Sequence, residues 1–81
     1  MADEQISNYI EALVKEEHDL LDRGGSERGL DAAGHERLAA IHVELDRYWD
    51  LLRQRRARRA AGQDPEGASP RDADTVEHYL Q

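Results

Sequence analysis

The sequence predicts an all-α protein: an antiparallel, coiled-coil-like two-helix hairpin followed by a flexible tail and a short C-terminal helix. Three observations predict it. Two long segments repeat their apolar residues at helical spacing, a glycine-rich break separates them, and too little apolar material remains for any other core. Of the 81 residues, 38% are apolar and 36% charged, with neither Phe nor Cys. That composition is closer to a long-helix protein than to a compact α/β domain.

In the first segment Ile6, Ile10, Leu13, Glu17 and Leu20 follow one another at steps of four, three, four and three. These steps bring them to one face of a helix. Tyr9, Val14 and Leu21 broaden that face. Asp3 is the expected N-cap, and Asp3 with Glu4 suits the positive end of the helix dipole. Arg23-Gly24-Gly25 supplies the stop, so the first helix is expected over about 3–22.

Residues 24–31 contain three glycines and read as the connection. Asp31 is the expected cap of the second helix, placed over about 32–61. There Leu38, Ile41, Leu45, Tyr48 and Leu52 match a heptad seam, with Trp49 and Leu51 beside it. The seam breaks at Arg55, where an apolar residue is due. Arg and Ala nevertheless favour helix through Ala61, and Gly62 and Pro65 end it.

Helices joined this closely fold back on each other. Levelling Asp22 with Gly34 sets Glu4 beside Leu52, Ile6 near Trp49–Leu52 and Leu20 near Leu38. The arginine segment then overhangs the first helix by about 10 Å. Residues 1–62 thus form the hairpin, and residues 63–81 a linker with a short helix. In that helix, Ser69-Pro70 makes a suitable start and Val76, Tyr79 and Leu80 an apolar side. Under three turns, it is too short to be stable alone. One hairpin buries only a narrow seam, and its apolar stripes are wider than two helices cover. Either a homodimeric four-helix bundle or a folded-back tail answers this, and the shortness of the tail helix favours the dimer.

The net charge of −7 is unevenly spread. Residues 1–22 hold seven acids and one lysine, whereas residues 53–59 hold Arg53, Arg55, Arg56, Arg58 and Arg59 without an acid. Electrostatic function, if any, belongs to that cationic segment. At 100° per residue the arginines surround most of the helix, and no aromatics interleave them for base stacking. Pairing with Asp3, Glu4, Asp50 and the acidic tail explains them most simply. A protein partner comes second, and nucleic-acid phosphates third. Trp49, with Tyr48 beside it, is most simply core or interface, simple packing being favoured and partner binding the alternative.

Chemistry finds little support. The residues three before His18, His35, His42 and His78 are Lys15, Ala32, Ala39 and Thr75, so the Glu-x-x-His pairs of metal-binding bundles are missing. Glu17 in the seam reads as a polar register residue, with a buried acid paired to His18 or His42 as the sharper alternative. No nucleophile elbow or phosphate loop occurs, and a hairpin is expected to lack a substrate-sized concavity. No enzyme activity, cofactor or metal is expected. The acidic N-terminus and the lack of Cys or of a long apolar run point to the cytoplasm, without a membrane.

The string Tyr48-Trp49-Asp50-Leu51-Leu52-Arg53-Gln54-Arg55-Arg56-Ala57-Arg58-Arg59, followed by Gly62-Gln63-Asp64-Pro65, resembles domain-of-unknown-function family 2630, short proteins found mainly in actinobacteria. Glu16-Glu17-His18, Leu45-Asp46 and the closing Val76-Glu77 with Tyr79-Leu80-Gln81 extend the likeness nearly end to end. The glycine-rich loop departs from the family's more acidic one. The resemblance implies a helical hairpin in a cytoplasmic bacterial protein, and supplies no activity, ligand or catalytic residue. The sequence therefore points to a small non-enzymatic helical protein that binds an unidentified protein partner, with a homodimer favoured. Trp49, Arg53, Arg55, Arg56, Arg58 and Arg59 are its candidate contacts. The alternative is a nucleic-acid or ribosome-associated accessory factor using the same arginines.

Overall fold

The computed structural model describes residues 2–25 and 27–70. The expected C-terminal helix, with Val76, His78, Tyr79 and Leu80, lies outside the described residues. Two helices, α1 (Asp3–Gly24) and α2 (Ala32–Ala60), pack against each other as the predicted all-α hairpin.

Helix α1 starts one residue earlier than capping preference suggests. Ala2 is the N-cap, and the Gln5 side chain accepts from its N–H at 2.9 Å. Asp3 is instead the first helical residue, its carboxylate committed to α2. At the other end Gly25 adopts φ +74° and donates to the Asp22 carbonyl, so Arg23 and Gly24 stay within the helix. Only glycine takes that left-handed conformation at little cost.

The connection is a tightly folded corner. A single 3-10 turn spans Glu27–Gly29. A Cβ on Gly29 would lie 1.7 Å from the Gly24 carbonyl oxygen, so the two backbones touch where no side chain fits. Leu30 fills the space beside Gly24 and Gly34. Asp31 caps α2 as expected, its Oδ1 accepting from Gly34 N–H at 2.8 Å.

Ile6, Ile10, Leu51 and Leu52 form the core near the open end of the hairpin, with Val14, Leu45, Tyr48 and Ala68 packed around them. Leu20, Leu38 and Ile41 are buried toward the loop. Ile6 and Ile41 are fully enclosed, and each such side chain contributes about 1.5–3 kcal/mol. The register is displaced slightly from the predicted one. Tyr9 stacks on Tyr48 with centroids 5.5 Å apart, and Asp3 meets Arg55, about half a turn beyond the predicted level.

After α2 the chain reverses. Gly62, at φ +72°, donates to the Arg59 carbonyl, and Gln63 N–H donates to that of Arg58 at 2.7 Å. Asp64 then accepts from Glu66 N–H at 3.0 Å, opening a second 3-10 turn over Pro65–Gly67. Gln54 Nε2 donates to the Ser69 carbonyl at 2.8 Å. Residues 63–69, which read from sequence as part of a linker, therefore run back along α2 and cap one end of the core through Ala68. The two helices lie side by side, in a body 47 × 25 × 14 Å.

Candidate interaction surface

The five arginines of the overhang do different things. Arg55 occupies the slot where the heptad required an apolar residue, and its side chain is only 7% exposed. Its Nε donates to Asp3 Oδ1, its Nη1 to the Pro65 carbonyl at 3.3 Å, and its Nη2 to Glu66 Oε1 at 3.3 Å. The aliphatic stem continues the seam while the guanidinium takes three acceptors from two segments. Arg59 Nη2 donates to the other Asp3 oxygen, Oδ2. Asp3 is thus held between two guanidiniums, Arg59 foremost and then Arg55, which keep its carboxyl below the ordinary value of 3.8. Arg58 lies over Gly67, where a Cβ would come within 2.5 Å of its Nη1.

Arg53 and Arg56 behave otherwise. Arg53 Nη2 is 4.0 Å from Asp50 Oδ1, at the limit of an ion pair, and its side chain is 48% exposed. Arg56 is exposed and makes no ion pair among the described residues. Trp49 precedes them by four and seven residues, so helical spacing sets all three on one face. Contrary to the core reading of its indole, Trp49 is 45% exposed. The candidate contacts are therefore divided: Arg55 and Arg59 fasten the fold, Arg58 lies against the returning chain at Gly67, and Trp49, Arg53 and Arg56 face outward.

The remaining polar groups serve the hairpin. Arg37 Nη2 donates to Glu16 Oε1 at 2.6 Å, and this guanidinium foremost lowers the Glu16 pKa. Glu17, the seam acid, lies 2.6 Å from His42 Nε2, the cross-helix pairing that the sharper sequence reading allowed. Burial, reinforced by Glu44, raises the Tyr48 hydroxyl pKa. Asp50 is buried, only 3% exposed, and accepts from Gln54 Nε2 at 2.9 Å. Sequence reasoning missed this enclosed acid. The i, i+4 spacing of Asp50 and Gln54 was the available signal.

A concavity of about 460 Å³ lies at the hairpin tip, lined by Leu20, Arg23, Gly29, Leu30, Asp31 and Arg37 among others. This corrects the expectation that a hairpin offers no hollow of substrate size: three glycines leave side-chain space empty at the corner. Of its charged side chains, Asp31 caps α2 and Arg37 pairs with Glu16. Among the described residues no cluster of His, Asp and Glu could hold a metal ion, and no helix is long and apolar enough to cross a membrane.

Residues 2–81 match the model of the family described as "Protein of unknown function (DUF2630)". The chain belongs to this family. It is also 44% identical over 80 residues to uncharacterized proteins of Mycobacterium bovis and Mycobacterium tuberculosis, across 95% of this chain and 88% of each relative. No solved structure matches it. Family 2630, as the resemblance at the Trp49–Arg59 string implied, accounts for the whole described hairpin.

Proposed function

We propose that this family member is a non-enzymatic, cytoplasmic helical interaction module that docks a protein through Trp49, Arg53 and Arg56. One observation carries the reading: the indole of Trp49 is 45% exposed on the face that holds the two outward arginines. Tryptophan and arginine are among the side chains most enriched where a few residues dominate binding energy. Arg55 and Arg59 hold Asp3, and Arg53 is at the limit of an ion pair with Asp50, so on this outward face Arg56 is the cation least engaged within the chain. Nucleic acid is the second reading, but the excess of acid on α1 opposes a polyanion beyond the local patch.

The test is capture from native lysate by the full chain, by Trp49→Ala, and by Arg53→Glu/Arg56→Glu. A protein retained by wild type and lost from both variants is the expected result. Retention of nuclease-sensitive nucleic acid in its place, or a bound set that the variants leave unchanged, overturns the proposal.

A further inference from the structure

The outer side of α2 is covered along a stripe that α1 does not face. Val43, Arg47, Asp50 and Gln54 follow one another at steps of four, three and four, which brings them to one face of the helix. Asp50 stands two residues from both Tyr48 and Leu52, about 200° around the helix from each, so this face turns away from the seam that meets α1. Yet no member of it is exposed: Asp50 is 3% exposed, and Val43, Arg47 and Gln54 are half-buried. His42, Trp49 and Arg53 to one side of the stripe are exposed, as are Ala39 and Ala40 one turn before it.

The returning segment approaches this stripe at one end. It meets Arg55 at Pro65 and Glu66, and reaches Gln54 through the Ser69 carbonyl, which accepts from Gln54 Nε2 at 2.8 Å. The same Nε2 donates to Asp50 Oδ2 at 2.9 Å. Arg47 and Val43 lie farther back along the axis from Gln54, by about 10 Å and about 16 Å, beyond the span of Pro70. Their cover must continue from that end, where residues 71–81 follow.

The two segments match in spacing. Counting back from Gln54 gives Asp50, Arg47 and Val43; counting on from Ser69 by the same steps gives Ala73, Val76 and Leu80. Helices running antiparallel from the Ser69–Gln54 bond set these positions level, pair by pair. Ala73, the smallest, falls opposite enclosed Asp50, and Leu80 opposite Val43. Eleven helical residues span about 16 Å, the length of the stripe from Gln54 to Val43. Ala39 and Ala40 lie past the end of such a segment, in keeping with their exposure. Ser69-Pro70 is a suitable helix start at the point where it would begin.

We propose that residues 71–81 dock in cis on the outer side of α2 as a third, antiparallel helix, with Val76 on Arg47 and Leu80 on Val43. Packing on α2 supplies the stability that so short a helix lacks alone. The Trp49 side is left untouched, so this inference stands apart from the docking proposal.

The chain has no cysteine, so single introduced thiols report the cover. Val43→Cys lies under it and His42→Cys beside it. In the full chain a thiol reagent should modify Val43→Cys about tenfold more slowly than His42→Cys, or slower still. Adding Val76→Asp/Leu80→Asp should bring the two rates together, with the helical circular dichroism of the hairpin kept. On mild oxidation Val43→Cys/Leu80→Cys should close an intramolecular disulfide well before His42→Cys/Leu80→Cys does.

Equal rates at the two positions in the full chain overturn the proposal. So does protection of Val43→Cys that the aspartates leave in place. If the aspartates unfold the hairpin, the disulfide decides, and closure without preference for position 43 overturns docking there. Protection that appears only as protein concentration rises assigns the cover to a second copy, and overturns docking in cis. Capture of a partner through Trp49 should survive Val76→Asp/Leu80→Asp, so the two proposals fail separately.

Discussion

The two ends of the hairpin solve one problem, keeping α1 and α2 together, by opposite means. At the loop end the chain is continuous, and the corner is held by close backbone approach: Gly29 against Gly24, with Leu30 filling the gap and Asp31 capping α2. These are short-range contacts, indifferent to salt. At the open end no covalent link exists. Asp3 is joined to Arg55 and Arg59, 52 and 56 residues away, and Glu66 returns after the reversal to Arg55. Where the chain cannot hold its helices together by connectivity, directional charge-assisted bonds do so. The loop end should therefore break through steric substitution, and the open end through acid and charge.

The largest effect is expected from Gly29→Ala. Its methyl group would have to occupy the position 1.7 Å from the Gly24 carbonyl oxygen. The obstruction is backbone and cannot rotate away, so the corner must rebuild at a cost of about 3 kcal/mol. For a chain of this size that lowers Tm by more than about 10 °C. Gly25→Ala is the control: nothing lies within 4 Å of its Cβ position, and its φ of +74° alone is penalised, by about 1 kcal/mol. Thermal melts at one fixed protein concentration compare them, since any dimer makes Tm depend on concentration. Equal losses would show that strain, and not close approach, shapes the corner.

Arg55→Ala comes next, acting on the open end. It removes an enclosed stem and leaves Asp3 with Arg59 alone. Arg55→Met retains the stem and the heptad pattern, and should recover more than half of the lost melting temperature. If Met is no better than Ala, the guanidinium contacts outweigh the seam packing.

How far the sequence discloses these two ends follows from the same contrast. The loop end is written locally: glycines, then Asp31 three residues before the N–H that it caps. The apolar seam is equally plain through Leu52, because periodicity is a local property. At Arg55 the pattern looks like an ending, yet the helix interface continues through the arginine stem. Its acceptors come from residue 3 and from a turn beyond Gly62, and no spacing rule connects those positions. Asp3 shows the reverse error. Acids are favoured caps, but a capping preference carries no information about two arginines waiting on another helix. The division of the arginine run is hidden for that reason, since it depends on which turns of α2 face α1. Trp49 misleads because hydrophobicity favours burial, whereas its turn of α2 stands aside from the line that faces α1 and leaves it 45% exposed.

Acid should separate the ends further. Asp3 has a folded-state pKa below its ordinary value of 3.8. Its contribution is therefore complete above that value, and is lost as pH falls through the depressed folded one. Glu16, lowered from 4.5 by Arg37, follows the same sign. Wild type should lose Tm on acidification below about pH 4. Asp3→Asn should start lower at neutral pH and lose correspondingly less on acidification. Parallel curves for the two proteins would mean that Asp3 does not hold the open end. Added salt should narrow their difference at neutral pH, because Asp3 is 40% exposed and open to screening.

The smallest effect on the fold is expected from Arg56→Gln, and its smallness is informative. Arg56 directly follows the enclosed Arg55, yet it stands on the outward side of α2, exposed and without an ion pair among the described residues. Glutamine keeps the helical propensity and removes only the charge, so unfolding of the monomer should change by less than about 0.5 kcal/mol. Arg59→Gln, three residues on, removes a donor to Asp3 and should lower Tm measurably. Denaturation at low protein concentration compares them. If Arg56→Gln were as costly as Arg59→Gln, the arginine run would be one undivided fastening, and no cation would remain for a partner.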